Sequence, residues 1–454
     1  MRTETDTLGP IEIEENCLWG AQTQRSFNNF KIGNEKMPIE LIHAIAIVKR
    51  AAALSNFAAG ILSEDKKNQI VATCEEILTG RWNDQFPLVV WQTGSGTQTN
   101  MNVNEVISHG AALLFPNHEH IAPNDDANKS QSTNDVFPTA MRIASTLLIY
   151  YQLLPELEKL AETFAKKSRT FSTITKIGRT HLMDATPLTL GNEFSAFHAQ
   201  IIHSIEAIKM ALPHLMELPI GGTAVGNGLN TPPQYDIRTV EEINTYTGLK
   251  FTPSSNKYEA MASHDSFVEM SGAYKRLATA LMKIGNDIRL LSSGPRCGLG
   301  EITIPTNEPG SSIMPGKVNP TQCEALTMVC CQVIGNDTAI TCGAMQGHLQ
   351  LNVFMPLIIR NIIHSTHLLS DAIRSFNTHC VQGIEPNYAQ IDKHLRSSLM
   401  LVTALSPHIG YYKAAEIAQY AHKNNLSLRD AALTLQHISA EDYDNIINKT
   451  INNH

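Results

Sequence analysis

The strongest constraint on the fold of this chain is an apolar spacing that alternates between three and four residues over long stretches. Two long stripes of this kind occupy residues 143–164 and 267–291, and shorter ones occupy 194–208 and 326–340. A fifth helical stretch runs from about 351 to 375. A mean spacing of about 3.5 residues marks the seam of long, nearly parallel helices. We therefore expect an all-α protein with a central bundle of five long helices.

Apolar residues also lie outside the seam of these helices, and Leu148 and Ile202 are two examples. A helix that is apolar on more than one face is buried on more than one side. This pattern favours an oligomer that is built through the bundle. Pro155 falls inside the first long stripe and is expected to kink that helix.

The length of 454 residues is too great for one small domain. The long stripes are confined to the middle of the chain, and shorter helical patterns flank them on both sides. We therefore predict three domains, which are an N-terminal mainly helical domain at 1–133, a central long-helix domain at 134–388 and a small C-terminal helical domain at 389–454.

The composition argues against several functional classes. The formal net charge is -8, so nucleic acid is not an expected partner. No uninterrupted apolar run approaches the ~18 residues of a membrane span, so no membrane association is expected. The first ten residues carry Glu4 and Asp6 and lack the apolar core of a signal peptide. The eight cysteines have no metal-ligand spacing, and we predict a cytoplasmic protein without a metal.

Four distant segments share hydroxyls, amides and small residues in predicted loops at helix ends, and these are 94–105, 124–139, 178–187 and 307–324. The stretch Gly310–Pro320 contains a single charged residue, Lys317, among glycines, prolines and two adjacent serines. This inventory of donors suits a small anion. No lysine follows the Gly-Ser-Gly-Thr turn at 94–97 in phosphate-loop spacing, so a nucleotide site is disfavoured.

The stretch Gly-Ser-Ser-Ile-Met-Pro-Gly-Lys-Val-Asn-Pro at 310–320 resembles the signature of the fumarase/aspartase superfamily. Residues 178–190 resemble the fumarase version of another stretch, with His181 where aspartase-like relatives carry glutamine. Ser95 stands where aspartases tend to have alanine. Residues 401–411 are also similar to class II fumarases, and the whole resemblance extends over roughly 8–435.

This resemblance implies an iron-independent fumarate hydratase of the tricarboxylic acid cycle, which interconverts (S)-malate with fumarate and water without a cofactor. It also implies a homotetramer with a shared helical core, in which three subunits assemble each active site around a small dicarboxylate. An aspartate ammonia-lyase is the alternative within enzymes, and His181 and Ser95 argue against it. A non-catalytic structural homologue is the other alternative, and the retained Ser311, Lys317 and His181 argue against that.

The resemblance also implies roles for individual residues. Ser311 matches the carbon base, His181 the acid that protonates the departing hydroxide, and Glu324 the partner of that histidine. The reverse assignment, with His181 as the base, stays open. The positions that match substrate-binding residues are Ser95, Gly96, Thr97, Ser132, Thr133, Asn134, Thr180, Ser312, Lys317, Val318 and Asn319.

One segment departs from the family pattern. Some fumarases bind a second dicarboxylate through a histidine just before Pro-Asn-Asp and through an arginine upstream. Here those positions hold Ala122 and Glu119. The possible second, non-catalytic anion site would comprise Ala122, Pro123, Asn124 and Asp125. Because two cationic groups are missing and one negative group has been gained, we predict weak or absent anion binding at this site.

Overall fold

The computed structural model describes residues 1–452, and the side chains through 451. The chain forms two compact units, each assembled from three separate segments. Unit 1 comprises Met1–Pro155, Glu206–Ala278 and Cys331–Ser370. Unit 2 comprises Glu156–Ile205, Thr279–Cys330 and the segment from Asp371 to the C-terminus. The division into three domains that the sequence suggested stays a prediction.

The described residues are mainly helical, as the sequence predicted. The helices of the first half are α1 Ala21–Asn29, α2 Ile39–Ala58, α3 Glu64–Leu78, α4 Thr97–Leu114, α5 Thr133–Leu148, α6 Leu154–Thr170, α7 Leu190–Leu215, α8 Tyr235–Thr247 and α9 Lys257–Ala262. Those of the second half are α10 Asp265–Leu291, α11 Thr321–Ala344, α12 Met355–His379, α13 Tyr388–Ser397, α14 Ser406–Ile409, α15 Tyr411–Asn424, α16 Leu428–Thr434 and α17 Ala440–Asn452. Short 3-10 helices occupy Asn83–Gln85, Val381–Gly383 and Leu399–Ala404.

The strands are short and form two-stranded sheets. They are β1 Arg2–Asp6, β2 Gly9–Ile13, β3 Thr175–Thr180, β4 Met183–Thr189, β5 Glu217–Leu218, β6 Thr252–Pro253, β7 Ile302–Thr303 and β8 Glu385–Pro386. The sheets β1–β2, β3–β4 and β7–β8 are antiparallel, and β5–β6 is parallel. Such small sheets leave the helices to build the core, so the all-α prediction is confirmed.

The five predicted long helices are all present, as α5 with α6, α7, α10, α11 and α12. The first is interrupted by a π-helical turn at Ile149–Leu153, immediately before Pro155. In this turn the backbone N–H of Leu154 donates to the carbonyl of Ile149. Proline has no N–H to donate to the carbonyl four residues back, and a wider turn accommodates that loss. The irregularity expected at Pro155 therefore lies in the turn before it.

Buried polar contacts join the long helices within unit 1. The hydroxyls of Tyr274 on α10 and Thr366 on α12 are hydrogen-bonded at 2.8 Å. Ser271 on α10 donates to Asp337 on α11 at 2.8 Å. Asn336 on α11 donates to Ser365 on α12 at 2.9 Å. Because buried polar groups must find partners, these contacts fix the register of the three helices.

Unit 2 has an aromatic core beside a smaller apolar cluster. Phe164, Phe171, Phe194 and Phe197 are fully buried, with ring centroids 5.3–6.2 Å apart in tilted or edge-to-face pairs. The small helices from α13 onward pack around a separate set of buried residues, which includes Leu405, Ile417, Ala421 and Ala431. Helix α13 and the 3-10 helix Leu399–Ala404 of this second cluster contact the β3–β4 hairpin, which carries predicted site residues of unit 2.

Helix α2 is the one helix of the described chain that is long and apolar enough to cross a membrane by length and composition. Most of its length is buried inside the protein. It packs against α3, α5 and α8 in unit 1. A helix buried in this way is a core helix of unit 1.

Candidate active site

The Gly-Ser-Gly-Thr turn of unit 1 leads directly into the N-terminus of α4. Gly96 is the N-cap and has a φ of +74°, and a Cβ there would lie 2.2 Å from the ring of Phe137. A Cβ on Gly94 would lie 1.4 Å from the carbonyl oxygen of Val353. The hydroxyls of Ser95 and Thr97 are hydrogen-bonded at 2.8 Å. Since helix N-terminal amides lack intrahelical partners, this turn is suited to a carboxylate.

A cluster of amides lies behind this turn. The side-chain amide of Asn100 donates to Thr133 Oγ1 at 3.0 Å and to Asn128 Oδ1 at 3.2 Å. Asn128 Oδ1 also accepts from Asn104 at 3.3 Å and from the ammonium of Lys49 at 2.8 Å. The side chains of Asn100, Asn104 and Lys49 are almost fully buried. The cluster thus connects α2 and α4 to the start of α5, where the Ser132–Asn134 segment lies.

The predicted Ser132–Asn134 segment caps α5. Ser132 is the N-cap, and its side chain accepts from the backbone N–H of Asn134, while Asp135 accepts from the backbone N–H of Ser132. The second oxygen of Asp135 accepts from the N–H groups of Gly221 and Thr223, both at 2.9 Å. Burial raises the pKa of the Asp135 carboxyl to about 6, although these amides oppose the rise. The start of α5 is therefore held in one conformation.

A cavity of about 420 Å³ in unit 1 is bordered by this segment. Its lining includes Ser132, Asn128 and Gln131, together with Asn124 and Asp125 of the possible second anion site. Asn124 and Asp125 belong to a π-helical turn at Pro123–Ala127. Residues of both predicted anion sites therefore line one cavity.

Close to that turn, Lys66 is held between two carboxylates. Its ammonium lies 2.9 Å from Glu119 and 3.0 Å from Asp126. Ala122 contributes its backbone N–H, which donates to Asp126 at 2.9 Å. The charge of Lys66 is thus already compensated, which is unfavourable for a second dicarboxylate.

In unit 2, Thr180 and His181 lie at the tip of the β3–β4 hairpin. Thr180 pairs with Met183, and His181 and Leu182 form the turn with φ values of 57° and 62°. Positive φ at both central positions is typical of a type I′ turn, in which glycine and asparagine are usual. Non-glycine residues in this conformation cluster at functional sites. His181 is exposed at the tip.

A buried group of charges anchors the hairpin. Glu301 is fully buried and accepts from Arg179 at 2.7 Å, with His394 Nδ1 at 2.9 Å and Lys176 Nζ at 3.1 Å. Lys176 also lies 3.0 Å from Glu193. Burial alone would raise the pKa of Glu301, but the Arg179 hydrogen bond and the Lys176 charge hold it below its ordinary value. Arg179 of this charged group directly precedes Thr180 in the chain.

The signature loop of unit 2 is closed across its base. The N–H of Gly310 donates to the carbonyl of Lys317 at 2.8 Å, and the Asn319 amide donates to the carbonyl of Gly310 at 2.6 Å. A Cβ on Gly310 would lie 2.7 Å from the Lys317 oxygen, so glycine is required there. These contacts hold the ends of the loop together.

Within this loop, Ser311 Oγ accepts from two backbone amides. The N–H of Met314 donates at 3.0 Å and that of Ile313 at 3.3 Å. Two donors aimed at one hydroxyl oxygen stabilise negative charge on it. Most of the loop is exposed, including Ser312 and Ile313, and Ser311 is half-buried.

The end of the loop borders a cavity of about 480 Å³ in unit 2. Lys317, Val318 and Asn319 line this cavity, together with Arg289 and Ser293. Glu324 is exposed in the first turn of α11. Within residues 1–452 no hydrogen bond joins the side chains of Glu324 and His181, so their predicted pairing stays a prediction.

Comparison with known proteins gives the family. Residues 9–335 match the family model described as lyase, and residues 401–450 match the fumarase C C-terminus. The chain is 56% identical to the class II fumarate hydratase of Helicobacter pylori over 450 residues, which cover 98% of this chain and 97% of that protein. It is 56% identical over 448 residues to that of Haemophilus influenzae, with the same shares covered. The chain belongs to the class II fumarate hydratase family.

The fold agrees with this family. A crystal structure of class II fumarase from Schistosoma mansoni matches with a TM-score of 0.96 at 42% identity, over 99% of this chain and 98% of that one. The resemblance seen in the sequence is thereby confirmed, and the chain is a hydro-lyase of the fumarase family.

The structure adds residues to those that the fumarase signature indicated. In unit 1 it links Thr133 to Asn100, Asn128 and Lys49, and in unit 2 it places Glu301 beneath the His181 hairpin. One signal in the sequence pointed to the first group. Lys49 lies with Arg50 in a mainly apolar helical stretch at 41–54, and a charged residue in such a stretch can be buried when it is paired. Nothing local to Glu301 indicates its contacts, since its partners are distant in sequence.

Proposed function

We propose that the chain catalyses the reversible dehydration of (S)-malate to fumarate, the step of the tricarboxylic acid cycle, through the residues that match the family. The proposal depends most on the hydrogen bonds at Ser311. Its Oγ accepts from two backbone N–H groups, and the same loop contains Lys317 and Asn319, which line a cavity. A hydroxyl is a poor base unless its alkoxide is stabilised, and this loop supplies that stabilisation.

The reaction removes a proton from the carbon next to a carboxylate, so negative charge accumulates on that carboxylate as a dianionic aci-form. Donors that meet this charge lower the barrier more than they stabilise bound malate. Lys317 and Asn319 supply such donors in our proposal. Thr97, Thr133 and Asn134 of unit 1 and Thr180 of unit 2 position the carboxylates.

His181 protonates the departing hydroxide in this scheme, directly or through water. Its place at an exposed hairpin tip supports a role at a substrate, because a turn residue with positive φ is held there by the surrounding structure. Glu324 would orient its imidazole. The second assignment, with His181 as the base, is tested by the comparison of Ser311 and His181 variants described below.

The proposal includes a cytoplasmic homotetramer in which three subunits contribute to each active site. The exposed apolar side chains of α11 support an assembly through the long helices. Met328 is 68% exposed and Ile334 is 38% exposed in the single chain. A long helix with apolar residues on its open face is typical of a subunit interface.

The activity is tested by ultraviolet absorbance, because fumarate absorbs there and malate hardly does. Purified protein with L-malate and a chelator is expected to give rising absorbance that reaches a plateau, and added fumarate should give falling absorbance. A rise with L-aspartate instead would identify an ammonia-lyase. If a folded protein gives no change in absorbance with either substrate, the chain is a non-catalytic structural homologue.

We predict that the possible second anion site, with Asn124 and Asp125, binds malate and citrate weakly or not at all. In an equilibrium titration with malate or citrate, we expect saturable binding at the active site and at no second site. The double variant Glu119→Arg with Ala122→His restores the two missing cations and should create a second site. A second saturable site in the unaltered protein, lost in Asn124→Ala, would show this prediction to be wrong.

A further inference from the structure

Lys49 is a buried cation that is not among the site residues matched to the family, so its role is not explained by that match. It lies in the middle of α2 with a side chain 0% exposed. Its ammonium donates to Asn128 Oδ1 at 2.8 Å and to Gln131 Oε1 at 3.0 Å, both neutral amide oxygens. Within residues 1–452 it forms no ion pair with a carboxylate. A buried ammonium without a bonded anion is unfavourable, and the nearby carboxylate of Asp135 offsets this only in part, so a bound anion would stabilise it further.

The amide cluster connects this ammonium to the proposed substrate site. Asn128 Oδ1 accepts from Lys49 and from the amide of Asn100, and that amide also donates to Thr133 Oγ1 at 3.0 Å. A hydroxyl oxygen that accepts from one side keeps its own proton for another partner. The contacts therefore leave the Thr133 proton available to a substrate carboxylate.

We propose that Lys49 is a positioning residue for the dicarboxylate, acting through Asn128 and Asn100 on the hydroxyl of Thr133 and supplying the positive charge that a bound dianion neutralises. This inference rests on the proposed function, since it requires that Thr133 contact the substrate. Lys49 does not contact the substrate itself. Its contribution is to binding, and binding that is equal in the ground state and the transition state changes KM without changing kcat.

The groups that face Lys49 come from the helices packed against α2. Asp135 on α5 favours its charged form, whereas the thiol of Cys74 on α3 stays neutral because burial raises its pKa to about 12. Helix α4 presents the neutral amides of Asn100 and Asn104 through Asn128. Burial lowers the pKa of Lys49 to about 7, and Asp135 opposes this only in part. A dianion bound nearby favours the ammonium and raises this pKa again. Substrate binding near pH 7–8 is therefore accompanied by proton uptake.

The test is Lys49→Met, which keeps most of the side-chain volume and removes the charge. For the unaltered enzyme we expect KM for malate to be constant below pH 7 and to rise above it, as free Lys49 loses its proton. In the variant we expect KM to be about tenfold higher at pH 6.5 and flat with pH, with kcat changed less than about threefold. Lys257→Met, which removes a lysine paired with Asp236 elsewhere in unit 1, should leave KM and its pH profile unchanged.

A second measurement uses the unaltered protein and so does not depend on the folding of a variant. Succinate, an unreactive dicarboxylate, is titrated by calorimetry at pH 7.5 in two buffers of different ionisation enthalpy. We expect net proton uptake in the unaltered protein and in Lys257→Met, and its loss in Lys49→Met. Absence of proton uptake in the unaltered protein, or an unchanged KM profile in folded Lys49→Met, overturns the proposal. Absence of malate turnover in the unaltered protein would instead overturn the proposed function.

Discussion

Replacing Ser311 by alanine is expected to lower kcat for malate dehydration by about 10²–10⁴-fold, the usual contribution of a positioned acid or base. The alanine removes the oxygen that accepts from Ile313 and Met314 and leaves the loop closure through Gly310, Lys317 and Asn319 in place. Affinity for succinate should therefore change little. The measurements are steady-state kinetics by ultraviolet absorbance and a succinate titration of the folded variant.

His181→Asn provides the comparison that assigns the two roles. In heavy water the unaltered enzyme should exchange a methylene proton of malate, as the base removes it reversibly. Ser311→Ala should lose both exchange and dehydration, whereas His181→Asn should keep relatively more exchange than dehydration because only the departure of hydroxide is impaired. The opposite pattern, with exchange lost in His181→Asn and kept in Ser311→Ala, would assign the base to His181.

Replacing Glu301 by leucine is expected to lower the free energy of unfolding by about 3–5 kcal/mol, the cost of breaking a buried ion pair from one side. Glu301 is fully buried against Arg179, Lys176 and His394, and leucine would leave these groups without its carboxylate. Because Arg179 precedes Thr180 and His181, kcat should fall as well. Denaturant unfolding and steady-state kinetics measure the two effects.

The matched control is Asp444→Asn, which breaks the exposed pair with Arg429 in the same unit. Solvent screens an exposed pair of this kind, so little change in the free energy of unfolding is expected. The pH dependence gives a further check. The pKa of Glu301 is lowered by folding, so its stabilisation is present above its unfolded value of about 4.5 and is lost as the pH falls through the folded value. The difference between Glu301→Leu and the unaltered protein should therefore shrink in acid, and a difference that is constant with pH would contradict this account.

The long helices were predictable because their pattern repeats over many turns. The stripe at 143–164 indicated a helix and Pro155 an irregularity, and the π-helical turn at Ile149–Leu153 lies where proline removes a backbone donor. The β3–β4 hairpin was not predicted. Its buried and exposed positions do not alternate, since three consecutive residues at 176–178 are buried. The sequence therefore lacks the alternation of apolar and polar residues that indicates a half-exposed strand.

The candidate site was predictable only where motif residues carry the chemistry themselves. Ser311, Lys317 and His181 could be named from the sequence, although their roles stay predictions. The two amides at Ser311 depend on the turn geometry of the loop, which composition does not determine. Glu301 and Arg179 are separated by 122 residues, and Lys49 and Asn128 by 79, so only the folded chain brings each pair together.

The segmented make-up of unit 1 has a consequence for biosynthesis. Its last segment ends at Ser370, while its first begins at Met1. The ribosome must therefore translate through Ser370 before this unit has all its parts, and the first half of α10 lacks its contacts with α11 and α12 until then. Contacts between such distant segments also close large loops, which slows folding. Nascent chains of this protein are expected to occupy chaperones until the third segment emerges.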